Sequence, residues 1–119
     1  MSVEEGIEII IGGINDPVFG QVIMFGIGGI FVEILKDVSF RICPIDNIDA
    51  DEMLREIKSF PVLIGARGKL SADLDAIKNA LINVSKLLIQ NPNIIQLDLN
   101  PIKVHKKGLM VLDSRIILK

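Results

Sequence analysis

The chain contains no tryptophan and no tyrosine, and its 119 residues include only five phenylalanines, one cysteine and one histidine. So few aromatics leave little with which to stack bases. Net charge is −2, with acids and bases interspersed, so no basic stripe is available to follow a phosphate backbone. These absences exclude nucleic acid as a partner. The lone Cys43 excludes an internal disulfide and any cysteine-rich metal site. The longest apolar stretch, Val22 to Leu35, is interrupted by three glycines and Glu33 and falls short of a membrane span. Glu4 and Glu5 stand where a signal peptide would begin with basic residues. The expectation is a soluble, cytoplasmic protein with no membrane association.

What is abundant is aliphatic surface. Half of the residues are apolar and the mean hydropathy is +0.49, high for one small domain. A domain of this size buries only about two-thirds of the surface its unfolded chain exposes. Part of the apolar surface is therefore expected to be covered by another lobe or subunit, a homo-oligomer included. On composition alone, an isoleucine-rich core explains the same excess.

Periodicity outlines an α+β domain with no linker or repeat. Ile7 to Ile11 is a β-branched run ending at Gly12-Gly13, and Asn15-Asp16-Pro17 supplies turn chemistry before a second strand at Val22 to Phe25. Further strands are predicted over Phe31 to Leu35 and Val38 to Ile42. Asp49 followed by Glu52 resembles a capping box opening a helix through Met53, Leu54, Ile57 and Phe60, which Pro61 ends. Ser71 is the predicted cap of a longer helix whose apolar stripe is Leu74, Ile77, Leu81, Val84 and Leu88. That helix runs to about Ile89, and Asn91-Pro92-Asn93 stops it. Two last strand-like runs, Ile94 to Val104 and Leu109 to Ile117, flank His105-Lys106-Lys107-Gly108 and read as a hairpin.

Two glycine-rich stretches resemble nucleotide motifs and fail in detail. Gly26-Ile27-Gly28-Gly29-Ile30-Phe31 has Phe31 where a dinucleotide fingerprint needs its third glycine. Gly68-Lys69 lacks the first glycine of a P-loop, because Leu63 stands there. The C-terminal hairpin carries more. Pairing Val104 with Leu109 sets Ile102 opposite Val111, Asn100 opposite Asp113 and Asp98 opposite Arg115. Strand alternation then puts all of them on one face, apolar near the turn and polar at the far end. A carboxamide and a carboxylate would stand about 5 Å apart at Cβ. Such hard oxygens, completed by nucleotide phosphates and water, suit Mg²⁺. An ordinary hairpin with an Asp98–Arg115 ion pair fits the same register.

The segment Gln96-Leu97-Asp98-Leu99-Asn100-Pro101-Ile102, with Val111-Leu112-Asp113 after the turn, resembles the metal-binding hairpin of ATP-grasp enzymes. Asp16-Pro17-Val18-Phe19-Gly20, Met24 through Glu33, Lys36 through Arg41 and Gly65-Ala66-Arg67-Gly68 extend the resemblance over nearly the whole chain, in one order. The branch it is similar to is the β-subunit of ADP-forming acetyl-CoA synthetase and the matching domain of fused acyl-CoA synthetases. The resemblance implies the C-terminal lobe of the ATP-grasp fold over residues 1–119, a mainly antiparallel sheet with two helices packed on one face.

It further implies Asn100 and Asp113 as Mg²⁺ ligands, with Asp98 as a ligand or beside one. Arg67 would be a catalytic-loop arginine able to hold phosphate. ATP or ADP is the implied nucleotide. The first ATP-grasp lobe, with its phosphate-gripping lysines, and a CoA-binding α-subunit or domains are the implied partners. Glu33 is read as structural or as supporting the site from behind its ligands, and His105, in the hairpin loop, as exposed and idle. A chain holding the second lobe alone is expected to be inactive by itself. The alternative is a non-catalytic assembly or regulatory subunit that retains the lobe.

Overall fold

The structure, a computed structural model, describes residues 6–65 and 71–119. Strands β1 (Ile7–Asp16) and β2 (Gly20–Ile27) form an antiparallel hairpin. Its turn is tight because Asp16 Oδ1 accepts from the backbone N–H groups of Val18 and Phe19, at 2.8 and 3.0 Å. Those bonds hold the Asp16 carboxyl below its ordinary pKa. Strand β3 (Val38–Ile42) adds to β2 on one side, and β4 (Ile94–Val104) adds to β1 on the other. Two short strands, β5 (Leu109–Val111) and β6 (Ser114–Leu118), share the far edge of β4. The order is β3-β2-β1-β4 and then β5 with β6, and every pairing is antiparallel.

Helices α2 (Asn47–Glu56) and α4 (Leu74–Gln90) cover one face of this sheet. Alternation aims Ile7, Ile9 and Ile11 of β1 and Ile23, Phe25 and Ile27 of β2 at them. These side chains are buried with Met53 and Leu54 of α2 and Ile77, Leu81 and Leu88 of α4, the predicted stripe. Each such burial is worth about 1.5–3 kcal/mol. Gly13 also points to this side, because any side chain there would meet Leu88. The expected α+β lobe, an antiparallel sheet with two main helices on one face, is what forms. Among the described residues no helix is long and apolar enough to cross a membrane.

Several local expectations are corrected. Phe31–Leu35 is not a strand. Gly29, at φ +73°, breaks the extended chain, and Ile30–Glu33 forms a helical turn, α1, that lays Val32 across Gly26. Gly26 is thus a close-packing glycine and no phosphate loop. The capping box of α2 is Asp46 with Asp49, one turn earlier than Asp49 with Glu52, since Ile45 is already buried and the helix must begin after it. Pro61 does not close that helix but sits in the first turn of a short helix, α3 (Phe60–Ile64), where a missing N–H costs nothing. Asp73, not Ser71, caps α4.

Candidate functional site on the open face of the sheet

The hairpin register runs as the sequence implies, with Ile102 facing Val111 and Asp98 facing Arg115. Between them the ladder is irregular. Asn100 N–H donates to the Asp113 carbonyl at 3.2 Å, and Leu112 N–H donates to the Pro101 carbonyl at 3.0 Å. Asn100 therefore stands beside Asp113, and both are exposed. Ser114 N–H donates to Asp113 Oδ1 at 2.9 Å, which steers the carboxylate and leaves Oδ2 without a hydrogen bond among the described residues.

The expectation that Asp98, Asn100 and Ile102 share one face is overturned. On β1, Ile9 to Ile11 spans two steps, while the paired stretch of β4, Ile102 back to Leu99, spans three. This bulge at Asn100-Pro101 reverses the alternation. Leu97 and Ile102 both enter the core, whereas Asp98 points to the opposite, open face. For the same reason Leu109–Ile117 is not one strand: it breaks at Leu112-Asp113, opposite the bulge.

On the open face Asp98 begins a row of direct neighbours that crosses four strands as Asp98, Gly12, Met24 and Phe40. The next row is Gln96, Ile14, Val22 and Ile42. All of these but Ile42 line a groove of about 210 Å³. Its floor is bare at Gly12, and its apolar walls stay in the open, with Ile14 47% and Phe40 51% exposed. Sequence reading missed this wall. The available signal was β2, apolar at successive positions from Val22 to Phe25, which in an antiparallel sheet means that neither face is built for water.

The hairpin bearing Asn100 and Asp113 is tied to the helical layer by Asp73. Its Oδ2 accepts from Gly108 N–H at 2.7 Å, its Oδ1 from Ala76 N–H at 3.0 Å, and its own N–H donates to the His105 carbonyl at 2.9 Å. The bond from Gly108, then that from Ala76, hold the Asp73 carboxyl below its ordinary pKa. One side chain thus caps α4 and fixes the β4–β5 turn.

Arg67 lies outside the described residues. His105 sits in the hairpin loop, near Gly6, and does not line the groove. Glu33 is exposed at the end of α1. Among the described residues no three His, Cys, Asp or Glu side chains cluster as a metal cage. The oxygens offered by Asn100, Asp113 and Asp98 are hard donors and too few for a full shell. That chemistry fits Mg²⁺, which keeps waters and takes phosphate oxygens, and does not fit zinc.

Residues 1–118 match the ATP-grasp domain family. The chain is 56% identical over 117 residues to the acetate–CoA ligase (ADP-forming) II subunit beta of Pyrococcus furiosus, covering 96% of this chain and 50% of that subunit. It is 51% identical over 116 residues to the acetate–CoA ligase (ADP-forming) I of Archaeoglobus fulgidus, covering 98% of this chain and 17% of that protein. Among solved structures it superimposes on acetyl-coenzyme A synthetase 1 of Ca. Korarchaeum cryptofilum with TM-score 0.91 and 46% identity, over 96% of this chain and 54% of that one. That protein was solved with coenzyme A and Mg-AMPPCP, its phosphohistidine segment pointing towards the nucleotide binding site. The chain spans about half the length of the β subunit it matches and about a sixth of the longer ligase. With a family match over nearly every residue and a shared lobe architecture, the chain belongs to the ATP-grasp domain family.

Proposed function

We propose that this chain is the second lobe of the ATP-grasp unit of an ADP-forming acyl-CoA synthetase of the acetyl-CoA synthetase kind. In the assembled cytoplasmic enzyme the lobe contributes the Mg-nucleotide contacts for phosphoryl transfer between a phosphohistidine and ADP or ATP. The first lobe and the CoA-binding α-subunit or domains complete the machinery. The observation that carries this reading is the exposed Asn100–Asp113 pair, set by a bulge beside a groove that begins at Asp98.

Each residue has a distinct task. Asn100 on β4 and Asp113, at the break between β5 and β6, would hold Mg²⁺, with Asp98 as a further ligand or beside one. When bound, the metal neutralises charge on the phosphate oxygens. The apolar wall of Ile14, Met24 and Phe40 excludes water from one side of the nucleotide. Arg67, which lies outside the described residues, is assigned to grip phosphate. The other side of the cleft comes from the first lobe, so positioning and catalysis belong to the assembly.

Asp113→Ala in the assembled enzyme tests this reading. Asp113 is exposed and makes one hydrogen bond to its neighbour's backbone, so its loss should leave the fold intact. Phosphoryl transfer between phosphohistidine and ADP should fall by about a hundredfold or more. Transfer at the wild-type rate would remove Asp113 from the mechanism.

A further inference from the structure

The hairpin that carries the candidate metal ligands is also the basic part of the molecule. Lys103, Lys106, Lys107, Arg115 and Lys119 lie in residues 94–119 against only Asp98 and Asp113, whereas the chain as a whole is at −2. Most of these cations are at the turn or the terminus. Two stand within the sheet: Lys103 faces Glu8 across β4 and β1, and Arg115 faces Asp98 across β4 and β6. Directly opposed residues share a face, so Arg115 rises from the open side, next to the groove and two residues after Asp113.

The other described arginines are engaged. Arg41 pairs with Glu52 and Glu56, and Arg55 pairs with Asp51 and lies over the Phe60 ring. Arg115 is exposed, and among the described residues it forms no ion pair, although its register partner is a carboxylate. A guanidinium that faces a carboxylate across the sheet and forms no ion pair with it among the described residues is suited to an anion brought into the same place. Planar, always charged and able to donate two parallel bonds, it matches a phosphate better than a lysine would.

We propose that Arg115 binds the nucleotide's terminal phosphate, the β-phosphate of ADP, beside the metal held by Asn100 and Asp113. This rests on the proposed nucleotide role of the open face and assigns within it a residue for the phosphate itself. Asp98, the register partner of Arg115, would share the metal's shell when the site is filled.

The test is calorimetric titration of the assembled enzyme, wild type, Arg115→Gln and Arg115→Lys, with ADP and with adenosine, each with and without Mg²⁺. Arg115→Gln should weaken ADP by about ten- to a hundredfold in both conditions. Adenosine binding and the unfolding temperature should not change, and Arg115→Lys should recover part of the loss. ADP affinity equal to wild type in Arg115→Gln overturns the proposal, as does an equal loss of adenosine. Slower transfer with unchanged ADP affinity also overturns it, since the arginine would then serve another phosphoryl group. If Asp113→Ala abolishes transfer while Arg115→Gln binds ADP normally, the metal reading stands and this one fails.

Discussion

At the residue scale, two glycines on the open face of the sheet make opposite demands. A Cβ on Gly26 would lie 2.7 Å from Val32 Cγ2 and 3.2 Å from the Asp37 carbonyl. Gly26→Ala should therefore destabilise the chain by about 1–3 kcal/mol, read as a lower urea midpoint at unchanged slope. A Cβ on Gly12 meets only Met24 Cε at 3.4 Å and the Leu97 carbonyl at 3.6 Å, ordinary contact distances. Gly12→Ala should shift stability by no more than about 0.5 kcal/mol in the same experiment. Sequence reading found both glycines yet could not separate them, because the neighbour that makes Gly26 indispensable is Val32, brought back by a turn that was misread as a strand. Asp113 and Asn100 were readable because their partnership depends only on counting outward from the β4–β5 turn.

Asp73 gives the residue scale a pH signature. Its carboxylate accepts from Gly108 and Ala76, and those bonds depress its pKa below the ordinary 3.8. A depressed acid stabilises the fold fully above its unfolded pKa, and that contribution disappears as pH falls through the folded one. Asp73→Ala should cost about 1–2 kcal/mol near neutrality, as losing a helix cap does. The difference between variant and wild type should shrink as denaturation is repeated at pH values below 3.8. A difference that stays constant down to strongly acidic pH would show that the carboxylate charge is not what ties the hairpin to α4.

At the element scale, α4 was the most legible part of the chain. A stripe repeating every three or four residues over about four turns fits only a helix, and the cap moved by only two residues. Its Leu81 is fully buried between sheet and α2, so Leu81→Ala should cost about 2–5 kcal/mol in equilibrium unfolding. Strand β4 was half legible. Its extent and partner follow from pattern and turn, but the bulge does not, because one added residue leaves the apolar content unchanged while exchanging the faces of everything beyond it. The consequence is functional: without that added residue, a strand keeping Ile102 in the core would turn Asp98 inward too.

At the scale of the whole molecule, one side of the sheet is covered by helices and the other presents an apolar groove. The excess hydropathy seen in the sequence divides accordingly into an isoleucine core and the exposed wall of Ile14 and Phe40. If the groove is one wall of a shared nucleotide cleft, as proposed, it offers only part of the contacts. The isolated chain should therefore bind Mg-ADP weakly or not at all by calorimetry, and micromolar binding would argue against a shared cleft. The most direct test of the central claim substitutes Mn²⁺ for Mg²⁺ and follows its binding to the assembled protein with ADP by electron paramagnetic resonance. Asn100→Ala and Asp113→Ala should each weaken Mn²⁺ by about tenfold or more while the protein stays folded. Mn²⁺ bound by both variants as tightly as by the wild type would contradict a metal site on this hairpin.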